Sequence, residues 1–275
     1  MSADKRRRAR VQGGWSSGLG SSQQPRKSTE FNSKVKTTSD VAVPSFSYVK
    51  PQPNSDEMRR APDLLTINKC GVYEVSNGPS GVSRIQFWPD FIARSETSWM
   101  YEQLMSEIPW VQKTEMQDGV EVAQPRMVAW FGDVPYSYSG VSHKPNNQWS
   151  PLLVMLKEMI EEKVGTSFNS MLANLYRNGK DSVAWHCDDE PELKGNPTIA
   201  SLSFGETRDF ELRKKPPPME NGDYTYMQHV RIPLTPGSLL LMDGATQEDW
   251  QHRIPKEYHD RNARINLTFR MTYAI

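Results

Sequence analysis

Short strand-like runs separated by turn residues fill the second half of the chain, and this pattern limits the fold more than any other feature. The runs are rich in β-branched, aromatic and leucine side chains, and Pro, Gly or Asn residues stand between them. Six of them follow one another at 171–176, 198–204, 210–213, 229–234, 238–242 and 263–273. Many short strands with turns between them predict a β-sandwich, a jelly roll or a barrel.

The preceding part of the chain adds a hairpin and two helices. Runs at 71–76 and 82–88 flank a turn that contains Gly and Pro, which is a hairpin pattern. Residues 95–108 and 151–164 carry apolar side chains at helical spacing, and Pro151 stands at the first helical position of the second segment. We therefore expect a mainly β domain with flanking helices that pack against one outer face.

A basic segment precedes this domain. Residues 1–62 contain 12 basic and 5 acidic residues, although the whole chain has 33 of each. The rest of the chain therefore has 21 basic and 28 acidic residues and a net charge of −7. Because the segment has few large apolar groups, it cannot bury enough surface to offset the entropy of ordering it. We expect a disordered basic tail over 1–62 and one domain over 63–275.

Charge, hydropathy and cysteine content restrict where the protein works. The basic cluster at 5–10 is typical of a nuclear import signal or a phosphate-binding patch, although a solvated tail has the same composition. No apolar run reaches the roughly 18 residues that a membrane span needs. The two cysteines, Cys70 and Cys187, are too few for a disulfide framework or a four-cysteine zinc site. We expect a protein of the nucleus and cytoplasm with no membrane partner.

The last strand-like run alternates between two kinds of side chain. Arg264, Asn266, Thr268 and Arg270 occupy every second position, and the positions between them are apolar. Successive side chains of a strand point to opposite faces, so the four polar groups share one face. If that face points outward, the strand is an ordinary half-buried one. If it points inward, two arginines converge on a pocket that needs an anion, and the alternation alone does not decide.

A second polar pattern predicts a metal site. His186 and Asp188 are two residues apart, so both project to one side of an extended segment, and His252 follows later in the chain. Two imidazoles and one carboxylate form the facial triad of non-haem iron(II) oxygenases, which leaves metal positions open. A structural zinc site is disfavoured because one position would be unfilled. Arg270 could pair as a fork with the far carboxylate of a dicarboxylic acid.

The other three histidines are not expected at this site. His143 and His229 stand in polar loop or strand-edge surroundings, and His259 stands in a loop-like segment. We expect His143 and His229 at the protein surface and His259 in a loop.

Several motifs combine into one larger pattern. They are His186-x-Asp188, His252, Arg264-x-Asn266-x-Thr268-Phe269-Arg270 and the preceding run Asn174-Leu175-Tyr176-Arg177-Asn178. This combination resembles the AlkB family of iron(II)/2-oxoglutarate dioxygenases over roughly residues 60–273. The runs 181–183, 199–205, 213–215 and 250–253 are similar to the branch of that family that repairs alkylated DNA and RNA. The resemblance implies a double-stranded β-helix, that is, a jelly-roll core, and the use of iron(II), 2-oxoglutarate and dioxygen.

The resemblance also implies roles for individual residues. His186, Asp188 and His252 correspond to the iron ligands, and Arg270 corresponds to the residue that pairs with the distal carboxylate of 2-oxoglutarate. Further contacts with 2-oxoglutarate are expected from Asn174, Tyr176, Tyr138, Arg264 and Asn266. These roles favour the inward orientation of the last strand.

For the substrate, the resemblance implies 1-methyladenine and 3-methylcytosine in single-stranded DNA and RNA, with release of formaldehyde, succinate and carbon dioxide. Both lesions block the Watson–Crick edge, so the base is easily extruded, and their positive charge suits an aromatic pocket near a carboxylate. The candidate contacts are Arg126 in a lid at 114–126, Tyr136, and Asp189, which could instead orient neighbouring groups. Trp130 and Phe131 are expected in the core.

Two other functions stay open at this point. A dioxygenase of the same fold could act on a protein or a small molecule, and a non-catalytic protein could keep the fold to bind modified bases. The domain is mildly acidic, so nucleic-acid binding must depend on the tail or on local patches such as 213–215, which suits single strands better than a long duplex. A helicase that supplies single strands is a candidate partner, and we expect a monomer.

Overall fold

The structure is a computed structural model that describes residues 60–117, 119–138, 141–220 and 222–274, and at residues 117 and 138 it describes the backbone alone. The predicted tail lies outside this part of the chain except for residues 60–62. Its disorder and the boundary at residue 63 therefore stay predictions.

Strands make up most of the regular structure in the described residues. The strands, numbered in chain order, are β1 (Leu65–Thr66), β2 (Gly71–Gly78), β3 (Gly81–Trp88), β4 (Thr114–Gln117), β5 (Val120–Ala123), β6 (Met127–Gly132), β7 (Tyr136–Tyr138), β8 (Val141–His143), β9 (Ser170–Tyr176), β10 (Val183–His186), β11 (Ile199–Gly205), β12 (Arg208–Lys214), β13 (His229–Leu234), β14 (Leu239–Gly244), β15 (Trp250–Ile254) and β16 (Arg264–Arg270). The helices are α1 (Arg94–Glu107), α2 (Pro151–Val164) and α3 (Thr246–Asp249).

Two sheets face each other across a shared apolar cluster. The larger sheet has the strand order β2-β3-β14-β11-β16-β9-β6, and the smaller has the order β1-β13-β12-β15-β10. Along the chain, β9, β11, β14 and β16 belong to the larger sheet, and β10, β12, β13 and β15 belong to the smaller one. These eight antiparallel strands form a double-stranded β-helix. The predicted fold class is confirmed.

Helices cover the outer face of the larger sheet. Ile265, Leu267 and Phe269 of β16 lie in one apolar cluster with Leu156 and Ile160 of α2, and α1 contributes to the same cluster. This covering explains why every residue of β16 is buried, on both faces of the strand. The prediction that the two longer helices share one outer face is confirmed.

Clear signals mark both ends of α2. Ser150 Oγ accepts a hydrogen bond from the backbone N–H of Leu153 at 3.4 Å, and Pro151 fills the first helical position. Gly165 ends the helix with a φ of 69°, a left-handed conformation that glycine adopts without strain. These signals explain why the sequence predicts the bounds of α2 correctly. In the described part of the chain, no helix has the length and apolar content to cross a membrane.

The other face of β16 points into the space between the two sheets. Arg264, Asn266, Thr268 and Arg270 all line a cavity there. The inward orientation of the last strand is therefore confirmed, and the polar face of β16 becomes one wall of the candidate site.

Candidate metal centre and its two cavities

Three side chains converge beside this cavity. His186 ends β10, Asp188 follows it, and His252 lies opposite His186 in the register of β10 and β15. One ligand atom from each of the three lies within 4.8 Å of the other two. Asp188 Oδ1 is 3.5 Å from Nε2 of His186 and 3.9 Å from Nε2 of His252. The structure therefore brings the predicted triad together.

Local features of the backbone direct these groups. The register of β10 on β15 shifts between Val183 and His186, an irregularity of the kind that re-aims side chains. The Nδ1–H of His186 donates to the Ala184 carbonyl oxygen at 2.8 Å, so Nε2 is left to face Asp188. The backbone N–H of Asp188 donates to Oε1 of Gln247 at 3.0 Å, which fixes the chain where it leaves the strand.

The protonation states of the triad fit a divalent cation. Burial lowers the pKa of His186 and lowers that of His252 to about 3, so both imidazoles are neutral at pH 7. Burial alone would raise the pKa of Asp188, but Arg270 and the two imidazoles hold it well below its usual range. Asp188 Oδ1 is buried without a hydrogen-bond partner among the described residues. Neutral imidazoles and an ionised carboxylate with a free oxygen are a donor set that suits iron(II).

Arg270 contacts the carboxylate of this triad. Its Nε and Nη2 donate to Asp188 Oδ2 at 3.1 and 2.5 Å, and both side chains are buried. The expected pairing of Arg270 with the distal carboxylate of 2-oxoglutarate stays a prediction. Arg264 and Arg270 share a face of β16 but lie about 20 Å apart along the strand. Arg270 is the one at the metal end.

Arg264 lies at the opposite end of the inner face and forms no ion pair with an acidic side chain of the described residues. Its Nη2 donates to Ser203 Oγ at 3.0 Å, whereas Nε and Nη1 are buried without a hydrogen-bond partner among the described residues. Burial lowers the pKa of Arg264 to about 10, partly offset by Tyr176, whose ring centroid lies 5.1 Å from the guanidinium. The group is therefore charged at pH 7. A buried cation without a counterion is costly, so this end of the cavity favours an anionic ligand.

Hydrogen bonds between side chains fill the wall between the two arginines. Asn266 Nδ2 donates to Ser201 Oγ at 2.7 Å, and Asn266 Oδ1 accepts from Thr268 Oγ1 at 2.9 Å. Asn174 Oδ1 accepts from Arg126 Nε at 3.0 Å. We call this space the inner cavity, and its empty volume is about 490 Å³, open solvent included. Four predicted contacts with 2-oxoglutarate line it, namely Asn174, Tyr176, Arg264 and Asn266.

A second, more open cavity adjoins the first. This outer cavity has an empty volume of about 1250 Å³, open solvent included. The residues that line both cavities are Arg126, Val183, His186 and Ile254. Glu115 in β4 and Pro125, two residues after the end of β5, contribute one wall. The triad is therefore reached from outside on the side of His186.

Tyr136, a predicted substrate contact, is not brought to either cavity. Tyr136 is fully buried, stacks on Trp130 with ring centroids 4.5 Å apart, and lines neither cavity. Trp130 and Phe131 are core residues. The side chain of Tyr138 lies outside the described part of the structure. Of the predicted substrate contacts, Arg126 alone lines both cavities.

The acidic residues after the triad occupy different environments. Asp189 is exposed, accepts a hydrogen bond from Cys187 Sγ at 3.0 Å and lines neither cavity. Glu190 is half-buried, and burial together with the charge of Asp188 raises its pKa to about 7. The sequence predicts a substrate contact at Asp189 and gives no signal for Glu190. The chain leaves β10 at His186, so strand alternation could not show which of the two turns inward.

The expected surface position of His143 is wrong. His143 is buried in β8, where it pairs with Tyr136 in register and its ring tilts against that of Trp130. The hairpin of β7 and β8 folds this side chain inward, and burial lowers its pKa to about 4. His229 is half-buried rather than exposed, and the expected loop position of His259 is confirmed.

Comparison with known proteins agrees with this geometry. The family model of the 2OG-Fe(II) oxygenase superfamily matches residues 84–270. The chain belongs to this superfamily, and it is an enzyme that uses iron, 2-oxoglutarate and dioxygen.

Its relatives narrow the class. It is 52% identical over 280 residues to the alpha-ketoglutarate-dependent dioxygenase alkB homolog 3 of Bos taurus, covering 98% of this chain and 96% of that protein. It is 50% identical over 279 residues to the Homo sapiens protein of the same name, with the same coverage. The DNA oxidative demethylase ALKBH2 of Arabidopsis thaliana is 36% identical over 198 residues, which cover 64% of this chain and 62% of that protein. The resemblance to the AlkB family is confirmed.

Proposed function

We propose that this enzyme removes the methyl group from 1-methyladenine and 3-methylcytosine in single-stranded DNA and RNA. The observation that carries the proposal is the pair of adjoining cavities. The inner cavity ends in a buried cation, and the outer cavity opens to the triad beside His186. A small dicarboxylate and a larger substrate can therefore reach the metal centre from different sides. Similarity to alkB homolog 3 and to a DNA oxidative demethylase supports an alkylated base as that larger substrate.

His186, Asp188 and His252 would hold the iron. When bound, the iron supplies the oxidising chemistry with dioxygen and 2-oxoglutarate, so that the methyl group is hydroxylated and lost as formaldehyde, with succinate and carbon dioxide as co-products. Arg270 keeps Asp188 ionised and directs its free oxygen toward the imidazoles. Asp188, His252 and Arg270 are buried, whereas His186 is half-buried where the outer cavity opens, so solvent is limited to that one side of the triad.

We assign the distal carboxylate of 2-oxoglutarate to Arg264 instead of Arg270. Two guanidinium nitrogens of Arg264, at the far end of the inner cavity, have no hydrogen-bond partner in the part of the chain that the structure describes, whereas Arg270 already binds Asp188 through two nitrogens. A carboxylate at Arg264 would supply the missing counterion, and the Tyr176 ring would lie beside it. Asn174 and Asn266 then orient the wall of the cavity through the hydrogen bonds that they make with their neighbours.

The test is a demethylation assay on the full-length chain with iron(II), ascorbate and 2-oxoglutarate. The substrate is a single-stranded oligonucleotide that carries one 3-methylcytosine, and mass spectrometry detects the product. We expect the loss of one methylene mass, dependent on 2-oxoglutarate and absent in His186→Ala. The matched control is His259→Ala, because His259 is exposed and lies outside both cavities. It should keep wild-type activity.

Two results would contradict the proposal. Release of succinate without any change in the oligonucleotide would indicate a dioxygenase with another substrate. Absence of both products, with the oligonucleotide still bound, would indicate a protein that binds modified bases without catalysis. The same assay with methylated RNA of the same sequence measures the preference between the two nucleic acids.

A further inference from the structure

The outer cavity extends away from the triad along one edge of the smaller sheet. β10 is the last strand in that sheet, and residues 182–186 line the cavity on this edge. Residues 253–256, which continue from His252, form the adjoining wall. Lys256 stands four residues beyond His252, about 10 to 13 Å from it in an extended segment. The cavity therefore reaches well past the space that one base beside His186 would fill.

The cations along this wall differ in how they are engaged. Arg126 donates to Asn174, and Arg253 donates to Glu211 Oε2 at 2.7 Å while its guanidinium lies 4.4 Å from the Trp185 ring centroid. Lys256 is exposed and makes no hydrogen bond or ion pair with any described residue. The far end of the outer cavity thus holds a lysine whose charge is free for a ligand.

Two of the three cations in the basic patch 213–215, which the sequence suggested for nucleic acid, are already engaged. Arg213 lies between the rings of Tyr224 and Trp185, at 3.5 and 4.4 Å from their centroids, and donates twice to Gln251 Oε1. Lys215 Nζ donates to a backbone carbonyl oxygen. Since the domain has a net charge of −7, a polyanion is attracted only where a cation is locally free. Lys256 meets that condition beside the candidate active site.

We propose that the outer cavity also holds the nucleotide next to the reacting base, and that Lys256 binds the phosphate that links the two. This inference rests on the proposed function and adds a second contact to it. The occupant is a stretch of single-stranded nucleic acid, because the contact is with a backbone charge that every sequence offers. Trp185 and Arg253 form the wall between the base position and Lys256. Lys256 therefore contributes to binding and leaves the chemical step unchanged.

The first test measures binding of the methylated single strand by fluorescence anisotropy, with the full-length chain loaded with iron(II) and 2-oxoglutarate under anaerobic conditions. Each phosphate contact on a single strand contributes about 0.7 to the slope of log Kd against log salt concentration. We expect Lys256→Gln to lower that slope by about 0.7 and to weaken binding by about threefold to tenfold. KM should rise by the same factor while kcat is kept.

The matched control is Lys69→Gln. Lys69 is also exposed, and it follows β1, which lies at the opposite edge of the smaller sheet from β10. We expect its slope and affinity to equal those of the wild type. An equal loss in both variants would reflect total charge and would contradict a specific phosphate site at Lys256.

A second test modifies the single-stranded nucleic acid instead of the protein. A methylphosphonate replaces, one at a time, the charged linkages on each side of the methylated base. Replacement of one particular linkage should weaken binding to the wild type. The same replacement should leave the affinity of Lys256→Gln unchanged. If the wild type demethylates the strand but no linkage shows this dependence on Lys256, the phosphate site is wrong and the proposed function stands. If the wild type neither binds nor demethylates the strand, the proposed function itself is wrong.

Discussion

Arg264 and Arg270 are the same residue type on the same face of one strand, yet their surroundings differ completely. Arg270 is buried against Asp188, with two hydrogen bonds to one carboxylate oxygen. Arg264 is equally buried, but two of its nitrogens have no partner among the described residues. The protein satisfies one charge internally and leaves the other to a ligand. The metal end of the inner cavity is thus preorganised, and in the function proposed above the co-substrate completes the far end.

The free-energy cost of burying the two charges is therefore offset at different stages. For Arg270 it is offset during folding, and for Arg264 when an anionic ligand binds. A buried ion pair strongly destabilises a protein when one partner is removed, because the other charge is left uncompensated. An unpaired buried cation already carries that cost, so its removal relieves the unliganded protein. Stability measurements without ligand should therefore separate the two arginines, even though both variants lose activity.

The largest expected effect follows the loss of Arg270. In Arg270→Leu, Asp188 is left as an unpaired buried carboxylate, and we expect the free energy of unfolding to fall by about 3 to 5 kcal/mol. Chemical denaturation of the metal-free chain measures this change. Arg270→Lys is the control, because it keeps the charge but not the fork and should recover part of the loss. A metal-free Arg270→Leu protein as stable as the wild type would show that the ion pair does not hold the site together.

A smaller and more selective effect is expected for Arg264. Arg264→Met keeps the length of the side chain and removes the unpaired charge, so the stability of the unliganded chain should change by less than about 1 kcal/mol or increase. Affinity for 2-oxoglutarate should fall about 30-fold or more, since the distal carboxylate loses its charged partner. Calorimetric titration of the metal-loaded protein with 2-oxoglutarate measures the affinity.

Ser203→Ala is the matched control for this pair of measurements. It removes the hydroxyl that accepts from Arg264 and keeps the cation in place. We expect a decrease in affinity of less than about tenfold. Unchanged affinity for 2-oxoglutarate in Arg264→Met would assign the distal carboxylate to another group.

The contrast between the two arginines also shows how far the sequence alone could go. The alternation of residues 264–270 correctly predicts that both arginines share one polar face, because side-chain direction in a strand follows from period two. The rise per residue of a strand also predicts the distance of about 20 Å between the two positions. The sequence could not show that Asp188 reaches the same end of the pocket as Arg270, because that depends on where the chain leaves β10.

Regular elements with strong local signals were predicted well, and irregular ones were not. The helix α2 was predicted from Pro151 and the apolar spacing over 151–164, and six strands after residue 170 follow from their apolar runs. The expected lid at 114–126 contains a hairpin of β4 and β5. The inward turn of Glu190 and the buried position of His143 depend on tertiary packing, for which a single sequence carries no periodic signal.

The effect that is smallest at neutral pH concerns a buried basic group that loses its proton. The pKa of His143 is about 4 in the folded protein, against an ordinary value of 6.5. Between pH 6.5 and pH 4 the unfolded chain binds a proton that the folded protein does not, so His143 lowers stability as the pH falls through this range. Its contribution to the slope of the unfolding free energy against pH is at most about 1.4 kcal/mol per pH unit.

In His143→Gln this part of the acid sensitivity should disappear, as measured by urea unfolding of the metal-free chain between pH 7 and pH 4.5. His259→Gln removes an exposed imidazole and should leave the slope unchanged, and the triad titrates alike in all three proteins. If the slope of the unfolding free energy against pH is the same in His143→Gln and the wild type, His143 accepts a proton while it stays buried. That result would contradict the prediction, from its packing against Trp130, that buried His143 stays unprotonated.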